Sequence, residues 1–143
     1  MMRIYTSSWS TKLPEGFARI GISRGAPRRS AAGYRMYRRL APGSWFNSVS
    51  AEEYRRRYME QLGALTAQQV GDEIAVLAGD KTPALLCFEP PAPGPKWCHR
   101  AYVSVWLETE LGFKLLEYGQ EKEGHGWAHP KLPPEYRLAP VAA

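Results

Sequence analysis

The chain has 143 residues, 44% of them hydrophobic, enough for one compact domain with a modest core and too few for two. No run of about 18 apolar residues occurs, and MMRIYTSSW lacks the charged leader and apolar stretch of a secretory signal, so no membrane partner is expected and the expected location is cytoplasmic. Two cysteines are too few for a disulfide scaffold; in a reducing compartment both are expected as free thiols, with a Cys87–Cys98 bridge as the alternative.

The net charge of +5 divides unevenly. Positions 1–60 carry 12 basic against 4 acidic residues, a balance of +8, while positions 61–143 carry 7 against 10, a balance of −3. The basic half contains SRGAPRRSAAGYRMYRRL, where Arg24, Arg28, Arg29, Arg35, Arg38 and Arg39 alternate with Tyr34 and Tyr37. Arginine for phosphates and tyrosine for stacking is a mixture suited to a nucleic acid. A solvated basic surface is the plainer reading.

In chain order, a short strand is expected at Arg3–Thr6, then the polar turn SSWSTKLPEG, then a second strand at Ala18–Ser23. Residues 24–50, rich in Gly, Pro, Arg and aromatics, read as an ordered loop with a helical turn near Tyr34–Leu40. Ser50-Ala-Glu-Glu53 is a capping box that starts a helix with Tyr54, Tyr58, Leu62 and Leu65 on one face. Thr66-Ala-Gln-Gln69 repeats the signal ahead of Val70, Ile74 and Leu77, and Gly79 stands where a C-cap glycine belongs. The unalternating apolar run Pro83–Phe88 predicts the central strand of a parallel sheet. Arg100–Leu111 is apolar around most of its circumference and predicts a buried helix ending at Gly112; a last strand follows at Lys114–Tyr118. Strands alternating with helices give an α/β fold, a small mostly parallel sheet of about four strands flanked by helices. It forms a single domain over residues 1–119. Residues 120–143 read as an extended tail, docked through Trp127 and Tyr136 or flexible.

In such sheets ligands bind beyond the carboxyl ends of the strands, which here places Ser7, the segment Ser23–Arg28 and the loop Glu89–Arg100 on one rim. RIYTSSW, GISRGAPRR, YRRLAP, EEYRRRYMEQLGAL, and above all ALLCFE followed by WCHRAYVSVWL, resemble the domain of unknown function 488 family over Arg3 to Tyr118. Its members have a short loop between a Cys-x-Glu strand end, here Cys87 to Glu89, and a Cys-His-Arg helix start, here Cys98 to Arg100. The loop PPAPGPKW is longer and richer in proline. The resemblance implies an α/β fold and a shared site, and carries no activity.

At a helix start, unsatisfied N–H groups favour an anion. Arg100 would add a bidentate donor, and the same positive environment would favour the thiolate of Cys98 as nucleophile or redox-sensitive thiol. His99 and Glu89 are the candidate bases. The candidates are therefore Cys98, His99 and Glu89 for chemistry, and Arg100, Arg24, Ser23 and Ser7 for binding a phosphate- or nucleotide-containing small molecule. The alternative is a nucleic-acid-binding accessory protein using Arg28, Arg29, Arg38, Arg39, Tyr34 and Tyr37, with the Cys-His-Arg set structural. Structural roles compete at each position: Cys98 packed under the loop, Arg100 paired with Glu89, Cys87 as inert core, and Trp9, Tyr34, Tyr37 and Trp45 as packing or anchors. Cys87, Cys98, His99 and the pair His125 and His129 raise a zinc reading, but the cysteines lack the close knuckle spacing of structural sites and the histidines lie in the tail. No metal or cofactor is expected. No phosphate-cradling glycine loop or nucleophile elbow is present.

Overall fold

A computed structural model describes residues 3–30 and 32–139. Five strands, β1 (Tyr5–Ser8), β2 (Phe17–Gly21), β3 (Arg35–Met36), β4 (Thr82–Cys87) and β5 (Leu116–Glu117), form one sheet in the order β3-β2-β4-β1-β5. Every pairing is parallel. The apolar run of β4 occupies the centre, as its composition requires. The sequence reading lacked β3: two residues next to arginines leave no alternation, and they become a strand only by pairing with Ile20 and Gly21.

Among the described residues three α-helices, α1 (Ala51–Gly63), α2 (Ala67–Ala78) and α3 (Arg100–Leu111), complete the domain. Right-handed crossovers that run in one direction across a sheet fall on one face, and those that run back fall on the other. The β3-to-β4 and β4-to-β5 connections run the same way and carry the helices. Ile4, Ile20, Ile22 and Leu85 of the sheet accordingly share one core with Tyr58, Leu62, Val70, Ile74 and Leu107 of the helices. The β1-to-β2 and β2-to-β3 connections run back and are loops. They cover the opposite face with a smaller cluster of Trp9, Ala84 and Leu86, edged by Leu13, Tyr34 and Met36.

The capping signals act unequally. Ser50 Oγ accepts from the Glu53 N–H at 3.1 Å, while the Glu53 carboxylate turns to Arg56 and Arg57 instead of back to the cap. Thr66 precedes α2 without a side-chain cap bond. Gly112 ends α3 in the left-handed conformation expected of it, φ +73°.

Residues 120–139 are not a detached strand of chain. The Gly126 N–H donates to Ser104 Oγ of α3 at 2.9 Å, and the Cys98 N–H donates to Lys131 O at 2.9 Å. His129, Lys131 and Leu132 are buried. Trp127 packs on the main core and Tyr136 lies under Arg55, the two anchors that the aromatic content indicates. Among the described residues no helix is long and apolar enough to cross a membrane.

Gly21 has no room for a side chain: a Cβ there would collide with the Trp9 ring and Met36 Sδ on the loop-covered face. Gly71, inside α2, would place a Cβ in ordinary contact, 3.5 Å from Leu111 Cδ1. Gly21→Ala is expected to cost about 1–3 kcal/mol by overpacking. Gly71→Ala is expected to be neutral or to stabilise by up to about 1 kcal/mol. Urea unfolding of both variants measures the difference.

Candidate functional site

The carboxyl ends of β2 and β4 and the start of α3 frame a cleft of about 580 Å³. That volume is within the ~300–1,000 Å³ common for small-molecule sites. Cys87, Cys98 and His99 lie at its floor, Ser23 and Arg24 on one side, and Glu89, Lys96 and Trp97 on the other. Of the three segments expected on one rim, those after β2 and β4 line this cleft and the one after β1 does not.

Cys87 and Cys98 are joined as a disulfide, with their Cα atoms 7.1 Å apart. This corrects the expectation of free thiols. The physical reason lies in the parity of β4: Cys87 shares the helix-facing side with Leu85 and so meets the residues that lead into α3. Cys87 is 1% exposed and Cys98 7%. The pair therefore touches the cleft mainly through Cys98.

His99 is buried between Tyr58 and the β2 exit. Its Nε2 lies 2.7 Å from Ile22 O, and since a carbonyl only accepts, Nε2 carries the proton and Nδ1 the lone pair. Nδ1 lies 3.6 Å from Cys98 Sγ. Burial lowers the His99 pKa to about 4, with the Arg100 charge acting in the same direction, so the imidazole is neutral near pH 7. The ligand atoms of Cys87, Cys98 and His99 all lie within 4.8 Å of one another. Sequence spacing argued against such a grouping; the strand-to-helix connection forms it across an eleven-residue separation.

Arg100 does not reach the cleft, which corrects its reading as a ligand donor. It is 0% exposed, and its guanidinium donates to Glu117 through Nε at 2.9 Å and Nη2 at 2.5 Å. Nη2 also donates to Glu89 O at 2.8 Å, and Nη1 to Cys87 Sγ at 3.1 Å. Glu117 on β5 is the partner, and Glu89 contributes only its backbone. Thr6 Oγ1 donates to Glu117 at 2.7 Å and accepts from His129 Nε2 at 2.7 Å, while His129 Nδ1 accepts from the Lys131 N–H. Burial lowers the His129 pKa well below its ordinary value, so this imidazole is also neutral. Lys131 Nζ donates to Ala92 O at 2.7 Å and so pins the proline-rich loop.

The two serine candidates are placed differently. Ser23 Oγ accepts from Trp9 Nε1 at 3.0 Å and donates to Gly25 O at 2.7 Å, which commits its proton within the turn. Ser7 is buried in β1 and does not line the cleft, because its parity turns it to the loop-covered face. Arg24 does line the cleft: it is exposed, donates to Pro42 O at 3.0 Å and lies over the Phe46 ring.

The six arginines of the basic segment all stay exposed, while some of its polar groups also make contacts within the fold. Tyr37 is buried and donates to Glu73 at 2.6 Å, Tyr34 packs edge-on against Trp9, Arg38 donates to Arg24 O, and Arg39 pairs with Glu73. Tyr37 is thus withdrawn from solvent, while Tyr34 is half-buried. Arg28 and Arg29 are exposed. Residues that sequence reasoning missed are Lys96 and the aromatic flanks Phe46, Phe88, Tyr54 and Trp97. Phe46 is 42% and Phe88 54% exposed, unusual for side chains of this type, and both line the cleft. The signal available in sequence was an aromatic beside each turn residue, which does not reveal exposure.

Set against family models, curated proteins and solved structures, the chain matches none of them.

Two outcomes test the buried network. Glu117→Gln leaves the Arg100 charge without its counter-ion and is expected to cost about 3–5 kcal/mol in urea unfolding. For His99 the folded pKa is depressed, so the unfolded chain binds more protons between about pH 4 and 6.5. Its contribution is complete above pH 6.5 and is lost as the pH falls through that window, by about 3 kcal/mol in all. Stability measured against pH should fall less steeply in His99→Gln, with His129 retaining part of the slope.

Proposed function

We propose that the protein binds an anionic, phosphate- or nucleotide-like ligand in the cleft at the carboxyl ends of β2 and β4, beside a redox-active cysteine pair. The observation that supports it most is the combination lining one cleft: the exposed cations Arg24 and Lys96, the exposed rings Phe46 and Phe88, and the Cys87–Cys98 pair. A planar ring stacks on the aromatics while the cations take the phosphate oxygens. The resemblance to the domain of unknown function 488 family belongs to this proposal, as does a cytoplasmic location, where dithiol reductants keep such a pair cycling.

The thiol chemistry follows from the unequal surroundings of the two sulfurs. A thiolate of an external dithiol attacks Cys98 Sγ, the sulfur nearer the cleft, forming a mixed disulfide and breaking the Cys98–Cys87 bond. Cys87 leaves as a thiolate, stabilised by the Arg100 guanidinium beside it. The second thiol of the reductant resolves the mixed disulfide and releases Cys98. Two electrons pass from the dithiol to the pair, and the two protons of the dithiol end on the cysteines or in solvent. His99 Nδ1 supplies a neutral hydrogen-bond acceptor next to Cys98 during the exchange.

A thermal-shift screen over nucleotides, phosphosugars and inorganic phosphate tests the binding. At least one phosphorylated compound is expected to raise the melting temperature, and Arg24→Ala with Lys96→Ala is expected to weaken its binding at least about tenfold. No shift across the panel would sink the reading. Short RNA and DNA in the same panel address the alternative: tight, steeply salt-dependent binding that is lost on Arg28→Ala with Arg29→Ala would favour it.

A further inference from the structure

We propose that the reduced protein holds a zinc-like divalent cation on Cys87 Sγ, Cys98 Sγ and His99 Nδ1, with a fourth position open to the cleft. The inference rests on the reduced cysteine pair invoked above and does not need the anion. Two thiolates and an imidazole are the donor set that selects zinc among abundant divalent metals, and three protein ligands with one open position is the arrangement of catalytic rather than structural zinc.

Four observations converge on it. The three ligand atoms already lie within 4.8 Å of one another and all three residues are buried. His99 is fixed in the tautomer that turns its lone pair toward Cys98, because Nε2–H is spent on Ile22 O. A backbone carbonyl holding the far nitrogen is the usual outer support of a metal-bound histidine. Cys87 and Cys98 have Cα atoms 7.1 Å apart, wider than the ~5.5–6 Å most common for a bridge, so placing a cation about 2.3 Å from each sulfur needs little backbone movement. Finally, Cys87, Cys98 and His99 all line the cleft, which puts the remaining coordination position on its solvent side, where a water or a ligand oxygen fits.

Charge supports the assignment. Two thiolates neutralise a divalent ion, and the imidazole adds none. The Arg100 guanidinium, 3.1 Å from Cys87 Sγ, favours the thiolate form once the bridge is reduced. The bridge and the metal are mutually exclusive uses of the same sulfurs: a two-electron oxidant such as hydrogen peroxide takes both electrons from the thiolates, forms the sulfur–sulfur bond, is itself reduced to water by taking up two protons, and releases the cation.

Cobalt and zinc titration of the full chain, reduced with a phosphine and free of nucleotide, tests the proposal. One cobalt per chain is expected, with thiolate-to-cobalt charge-transfer absorption, displaced by zinc and absent from the oxidised protein. Cys98→Ser and His99→Gln are each expected to weaken cobalt binding at least about tenfold. Zinc is also expected to slow alkylation of both cysteines in the unmutated protein, a readout that needs no variant. Well under one equivalent of cobalt bound, a spectrum without the thiolate band, or unprotected cysteines would overturn it. Because no phosphorylated compound is present, failure here leaves the anion reading standing, and success does not support it.

Discussion

The buried pair of Arg100 and Glu117 is the constraint on which the remainder of the site depends. Each is fully buried, and neither charge is tolerable there alone. Their union joins the first turn of α3 to the far edge strand, and the remaining donors of the guanidinium reach Cys87 Sγ and Glu89 O. One side chain thus fixes the strand end, the start of the proline-rich loop and the helix start at once. Glu117 in turn orders Thr6 and His129, and through His129 the segment whose Lys131 holds the loop at Ala92. The cleft has a rigid wall because a cation and an anion were buried behind it.

That network also sets the electrical character of the cleft floor. Arg100 and Lys131 bring two cations against the carboxylates of Glu117 and Glu89, so the charges behind the cysteines balance. A neutral His99 in front of them contributes a lone pair and no charge. The Arg100 guanidinium donates to Cys87 Sγ at 3.1 Å, so one cation touches the cysteine pair directly. At the mouth, exposed Phe46 and Phe88 leave apolar surface that the core did not absorb. Cation, ring and sulfur are combined within one concavity, on a small sheet with single-sided helices.

Much of the architecture is legible in the amino-acid sequence. Periodicity located α1, α2 and α3, and the unalternating run PALLCF marked the central strand. Gly112 announced the end of α3 through a conformation that side chains resist. What failed were elements whose existence depends on partners distant in sequence. β3 is two residues that pair with β2, and Thr66 forms no cap bond despite the motif. His129 and Lys131 sit in a stretch too polar and proline-rich to look buried, yet they are buried because Glu117, Thr6 and Ala92 wait for their polar atoms. Arg100 looked like a ligand donor at a helix start, and Ser7 like a rim residue; burial and strand parity decide otherwise.

The amino-acid sequence by itself determined the α/β class and the order of the three helices and four of the five strands, because these follow from local propensity and hydrophobic period, and it offered a candidate site around Cys87 to Arg100 through the rule that parallel sheets bind ligands at their carboxyl ends. It could not assign roles within that site. Only the tertiary structure decided that the two sulfurs meet, that His99 spends one nitrogen on Ile22, and that Arg100 turns inward to Glu117 rather than outward to a ligand. The reason is physical: which atom faces which is set by strand parity and by the need to pair every buried charge, and both depend on residues brought together from opposite ends of the chain.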